Sequence, residues 1–200
     1  MKTLEKALCL ALILTILFSF TGFAAECEDI PNRVLRLHVL ANSDSQADQD
    51  LKLKVRDRIL QVSSQLFTGV KNRQDAEKVA AANLSVLQSA AEDEVKKQGY
   101  SYPVHVELTN MYFTTRQYSE VTLPAGMYDA LRVLIGSGQG HNWWCVIFPP
   151  MCLPAAEEKT ELKDVLNGNE LRVVDGNNSY VLRFKTLEAY EQVKAWLERR

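Results

Sequence analysis

Residues 34–45 read Val34-Leu35-Arg36-Leu37-His38-Val39-Leu40-Ala41-Asn42-Ser43-Asp44-Ser45. Leu35, Leu37 and Val39 alternate with Arg36 and His38, the period of two that marks a half-buried strand. Ala41 to Ser45 ends the alternation with residues that favour turns. From Gln46 the period changes. Leu51, Val55, Ile59, Val62 and Leu66 recur every three or four residues, so one helical face is apolar. Lys52, Lys54, Arg56, Asp57 and Arg58 fill the other side. Ser43, Asp44 and Ser45 all suit the N-cap of this helix.

A second helix is predicted from Asn72 to Gln98, with Ala76, Val79, Ala80, Leu84, Leu87, Ala91 and Val95 as its apolar seam. Gly99 is a natural C-cap. Two helices with a short link form an αα-hairpin. Strands follow: Val104 to Leu108, Met111 to Tyr118, Met127 to Ile135 and Trp143 to Phe148, with Asp129 and Arg132 the polar breaks in the third. Leu123-Pro124-Ala125-Gly126 is a turn. Gly136-Ser137-Gly138-Gln139-Gly140 reads as a flexible connection, and the strands flanking it as a β-hairpin. After Pro154, a polar linker leads to strand-like Leu171–Val174 and Tyr180–Phe184 around Asp175-Gly176-Asn177-Asn178, a hairpin signal. Residues 186–200 are an amphipathic helix. This order predicts an α+β fold: an antiparallel sheet packed against a helical hairpin, with a C-terminal β-hairpin and helix.

The N-terminus carries Lys2 and Lys6, then an apolar run from Ala7 to Phe20, then Gly22 and Ala24. That is a secretory signal peptide over residues 1–24, cut after Ala24; an uncleaved anchor is the alternative. Glu26 before Cys27 argues against a lipoprotein. The remaining chain of about 175 residues fits one domain over 30–153, with 154–200 packed on it. A net charge of −2 argues against a nucleic-acid partner. In an oxidising compartment Cys145–Cys152 is the expected disulfide, which leaves Cys27 a spare thiol in a flexible segment.

No catalytic or metal constellation assembles from the spacing. The Gly136–Gly140 run is followed by a strand, whereas a phosphate loop needs a helix. Asp44, Asp48 and Asp50 lack the spacing and glycine of a calcium loop and read as helix capping and first-turn charge. His38 and His105 occupy polar strand positions and are expected at the surface. Cys145 and His141, four residues apart on a strand, stand about 13 Å apart. No cofactor is expected. Trp143 and Trp144 point to opposite faces of a strand: either one fills the core and the other is exposed as an interface anchor, or both are buried under the helices.

Residues 35–45, Asp48-Gln49 and Leu51 to Asp57 resemble the N-terminal signature of stage II sporulation protein R. So do Leu123-Pro124-Ala125-Gly126 with Tyr128, Ala130-Leu131-Arg132-Val133, Gly136, Asn142-Trp143-Trp144-Cys145-Val146 and Phe148-Pro149-Pro150. The resemblance runs from Arg33 to Leu153 and is loose from Pro154 onward. It implies a non-enzymatic signal, passed by the export machinery from the forespore into the space between two membranes. There it would activate a membrane-embedded aspartic protease of the mother cell, stage II sporulation protein GA, that processes the sigma-E precursor. Contact candidates are Asn42 and Asp44 in the first loop, His141 and Asn142 at the glycine-rich connection, and Trp143 or Trp144. The rival expectation is an exported cell-envelope hydrolase using Cys145 or an acidic pair.

Overall fold

The computed structural model describes residues 27–118, 121–151 and 162–174, with a few isolated positions elsewhere. The fold is α+β, and the chain divides into two compact units. One comprises Pro31–Tyr112 and Met127–Leu166; the other comprises Met1–Ile30, Phe113–Gly126 and Asn167–Arg200.

The larger unit is built on a four-stranded sheet. Its strands are β1 (Leu35–Leu40), β2 (Val104–Phe113), β5 (Gly126–Ile135) and β6 (Asn142–Phe148), in the order β2-β5-β1-β6. β1 pairs in parallel with β5, His38 opposite Arg132, and antiparallel with β6, His38 opposite Trp144. The expected β5–β6 hairpin therefore does not form: β1 lies between its two arms. The glycine-rich connection is long enough to pass over the end of β1 and place β6 on its far side.

Three helices cover one face: α1 (Gln46–Leu66), α2 (Arg73–Ala82) and α3 (Leu84–Lys97). Leu35, Leu37 and Val39 meet Leu51, Val55 and Ile59 of α1, Leu87, Ala91 and Val95 of α3, and Leu131, Val133, Cys145 and Ile147 of the flanking strands. The predicted second helix breaks into two at Asn83. The Asn83 side chain donates to the Val79 carbonyl at 2.8 Å and its φ falls to −119°, an asparagine competing locally with the helical backbone. Ser45 caps α1, its hydroxyl accepting from the Asp48 amide at 3.2 Å. Asp129 is anchored by Arg73 and by Asn110 Nδ2 at 2.8 Å, and Arg132 by Glu107 at 3.1 Å.

β1 is buried at all six positions, not on one face only. Arg36 is fully buried, donating from Nε to the Cys145 carbonyl at 3.1 Å, with its guanidinium 4.9 Å from the Tyr128 ring centre. His38, expected at the surface, is 3% exposed and stacks on Trp144 with ring centres 3.9 Å apart. As an inner strand β1 has a neighbour on each edge, and the side chains of those neighbours close over its polar face. His105, on the edge strand β2, does stay exposed.

The second unit contains the antiparallel pair β3 (Arg116–Tyr118) and β4 (Val121–Leu123), with Gln117 opposite Thr122. β2 runs unbroken to Phe113, so the predicted strand from Met111 to Tyr118 is divided between β2 and β3. A short helix, α4 (Leu162–Val165), belongs to the larger unit; α5 (Gly168–Val174) belongs to the second and packs near β4. Leu171–Val174, expected as a strand, lies in α5. The reason is a reciprocal cap: Asn167 Oδ1 accepts from the Glu170 amide at 3.0 Å, while Glu170 accepts from the Asn167 amide at 2.6 Å. Tyr180–Phe184 and the C-terminal helix lie outside the described residues. Cys27 is buried in a helical turn at 3% exposure instead of lying in a flexible segment, since cysteine packs as a small hydrophobe. Most of residues 1–24, where the signal peptide is expected, lie outside the described residues; among those described, no helix is long and apolar enough to cross a membrane.

Burial lowers the His38 pKa from 6.5 to about 4; hydrogen bonding to Asn142 works against the shift and the charge of Arg132 reinforces it. The unfolded chain therefore binds a proton between those values that the fold does not. Stability is full above about pH 6.5 and falls by up to about 3 kcal/mol towards pH 4. His38→Phe, which keeps an aromatic ring against Trp144, is expected to flatten this part of the stability–pH profile in urea denaturation. An unchanged slope would contradict the assignment.

Candidate functional site

The loop that ends β1, residues 41–45, and the β5–β6 connection, residues 136–141, meet at one end of the sheet beside the first turns of α1. Asn42 is the join. Its Nδ2 donates to Asp48 Oδ2 at 2.9 Å, and its Oδ1 accepts from the Ser137 amide at 3.0 Å. Its backbone carbonyl accepts from the Ser137 hydroxyl at 2.6 Å. Asp48 also accepts from Ser43 Oγ at 2.6 Å. Asp48 is only 4% exposed, and these donors, Ser43 before Asn42, hold its carboxyl below the usual range against the opposing effect of burial. The same charge, added to burial, pushes the Tyr102 phenol up.

Asp44 makes the second link. One carboxylate oxygen, Oδ1, accepts from the His141 amide at 2.5 Å and from His141 Nδ1 at 2.5 Å. These contacts hold the Asp44 pKa down. Lys52 makes the third link. Its ammonium donates to Gln49 Oε1 at 2.5 Å and to the His141 carbonyl at 2.8 Å. Gln49 Nε2 in turn donates to the Ser43 carbonyl at 2.9 Å. Periodicity places Lys52 on the solvent side of α1, yet it is 4% exposed, because the connection folds over it. Its pKa is lowered by that burial, with the Asp44 charge opposing.

The connection is therefore not a loose linker. The Gly136 amide donates to the Pro103 carbonyl at 2.9 Å and the Gly140 amide to the Ala41 carbonyl at 2.9 Å. Two of its glycines are required by close approach. A Cβ on Gly136, which also has φ +60°, would overlap the Asn42 amide; one on Gly140 would overlap the Ser43 carbonyl.

The six contact candidates share this end of the sheet but not one surface. Asp44 and His141 are exposed at the tip, and Asn42 is part-buried beneath them. Asn142 is exposed at the start of β6. Neither tryptophan is a fully exposed anchor. Trp143 packs on the helical face, with the Arg56 guanidinium 4.2 Å from its ring centre. Trp144 faces the other way onto His38. Asp48, Gln49, Lys52, Ser137 and Gly140 were not among the candidates; they hold the candidates in place. Cys145 is fully buried, so it is no accessible nucleophile for a hydrolase, and Cys152 lies outside the described residues. Among the described residues, no group of three or more His, Cys, Asp or Glu could hold a metal ion.

Gly140→Ala should destabilise the larger unit by about 2–3 kcal/mol in urea denaturation, because backbone must move. Gly138→Ala, whose nearest neighbour is a Leu134 methyl at 3.4 Å, should cost only the left-handed strain of about 1 kcal/mol. Equal effects would show that the two loops are not in close contact.

Residues 31–158 match the family model of stage II sporulation protein R. Over 123 residues the chain is 35% identical to stage II sporulation protein R of Bacillus subtilis (strain 168), covering 62% of this chain and 55% of that protein. The chain thus spans about half the length of this relative. No solved structure matches. The matched region takes in the whole of the two-loop site and well over half of the sequence, and the chain belongs to the stage II sporulation protein R family.

Proposed function

We propose that this sporulation protein is an exported signal that activates a membrane-embedded aspartic protease of the mother cell. That protease, stage II sporulation protein GA, would then process the sigma-E precursor. The observation that carries the reading is the family match, which spans the clamped loops from Asn42 to Trp144. Two further features support it. The N-terminal basic, apolar and small-residue sequence fits passage through the export machinery into the space between forespore and mother cell. The exposed groups at the loop tip are held by hydrogen bonds before any partner arrives, which lowers the ordering entropy of binding. Activation would require the signal to favour the active state of the protease over the inactive one, since a ligand shifts an equilibrium only by its differential affinity. In this reading the protein binds and turns nothing over, and Cys145–Cys152 is a structural disulfide closing a short loop.

Co-expression in a non-sporulating host with the protease and the sigma-E precursor provides the test. Processing should depend on this chain and fail when residues 1–24 are removed. Processing that proceeds equally without the chain would overturn the proposal. So would peptidoglycan or peptide hydrolysis by the purified protein.

A further inference from the structure

Three links fix the tip, and they engage most of its donors. The Lys52 ammonium is spent on Gln49 and on the His141 carbonyl. The His141 amide and Nδ1 are both spent on Asp44 Oδ1. An ionised carboxylate can only accept, so Nδ1 must carry the proton, and in the neutral imidazole Nε2 is then left as an acceptor. That tautomer follows from the Asp44 contact. Asp44 Oδ2 and His141 Nε2 make no hydrogen bond among the described residues, and the two side chains are 56% and 77% exposed. What the tip offers outward is the Asp44 carboxylate, its charge partly balanced by Lys52, and, in the neutral imidazole, the Nε2 lone pair, on two loops held together by the contacts of Ala41, Asn42 and Ser43.

From this arrangement we infer that the Asp44–His141 tip is the specificity contact of the proposed signal–receptor complex, and that it receives a cationic side chain, guanidinium or ammonium, of the partner protein. The inference rests on the proposed function. A cation satisfies the charge of Asp44, and its remaining N–H groups suit the Nε2 acceptor. An acidic partner would meet the like charge of Asp44. A resident metal is a poorer occupant, since two protein ligands fall short of the three or four that a stable transition-metal site uses. Asn142, exposed beside the tip, is already hydrogen-bonded to His38.

The experiment measures binding of the purified protein, residues 25–200, to membrane vesicles carrying the stage II sporulation protein GA protease, alongside precursor processing. Asp44→Asn retains an oxygen that can accept from His141 but removes the charge. It should weaken binding by about fivefold to tenfold and flatten the salt dependence. Asp44→Lys should weaken it by more than about tenfold, through like-charge contact. His141→Asn keeps a donor towards Asp44, lacks Nε2, and should weaken binding by about threefold. Thermal unfolding of each variant separates misfolding from lost contact; a variant that does not fold is replaced by Asp44→Ser. If the wild-type protein binds and activates while the folded Asp44 variants bind as well as it does, with the same salt dependence, the inference is overturned and the proposed function stands. If the wild-type protein itself neither binds nor activates, the proposed function fails. Binding of the wild-type protein that strengthens with added Zn²⁺ and is abolished by a chelator would overturn the cationic side chain in favour of a metal bridge.

Discussion

The side chain of Asn42 joins segments that lie far apart in the chain. One amide group takes the carboxylate of Asp48 at the start of α1 and the backbone of Ser137 after β5, while its own residue ends β1. Everything at this end of the molecule depends on that geometry. An asparagine can donate and accept at once, which neither an aspartate nor a leucine of similar size can do. Because Asn42 is part-buried, losing either partner would leave a polar group less well satisfied. The glycines opposite it complete the constraint. They let the two loops approach so closely that the hydrogen bonds run backbone to backbone as well as through side chains.

The same constraint explains the sheet order. The connection after β5 cannot turn back to pair β6 with it while Ser137 and Gly140 are bound to the end of β1. It crosses that end, and β6 pairs on the far edge of β1. β1 thereby gains neighbours on both sides and is buried on both faces, with Arg36 and His38 enclosed. Arg36 stays tolerable in the interior because its guanidinium meets a carbonyl and an aromatic face. His38 stays tolerable by remaining neutral and stacking on Trp144.

Much of this was legible in the sequence, and the exceptions have physical causes. Periodicity located β1 and α1 and put Leu35, Leu37 and Val39 on the helical face, because burial on that face is local in pattern. It could not show that Arg36, His38 and Lys52 are enclosed, because what covers them arrives from residues about a hundred positions away. A six-residue glycine-rich connection between two strands reads as a hairpin by local rules; the third strand that intervenes has no local signature. Leu171–Val174 looks like a strand by composition, and the Asn167–Glu170 cap, a signal four residues long, decides for helix. The candidate contacts Asn42, Asp44, His141 and Asn142 do converge in space. The residues that hold them, Asp48, Gln49 and Lys52, were hidden in a helix where charge alone suggests a solvated face.

Native-state amide hydrogen exchange shows whether the glycine-rich connection is clamped to the end of β1 in the free protein. The Ser137, Gly140 and His141 amides donate to Asn42 Oδ1, the Ala41 carbonyl and Asp44 Oδ1, while the neighbouring Gln139 amide has no such acceptor among the described residues. A clamped connection gives strong protection at the first three, rapid exchange at Gln139, and loss of protection at Ser137 in Asn42→Ala while the amides of the β1–β6 ladder stay protected. Uniformly rapid exchange from Gly136 to His141 would mean that the connection is a loose tether, and the clamp would have to be abandoned.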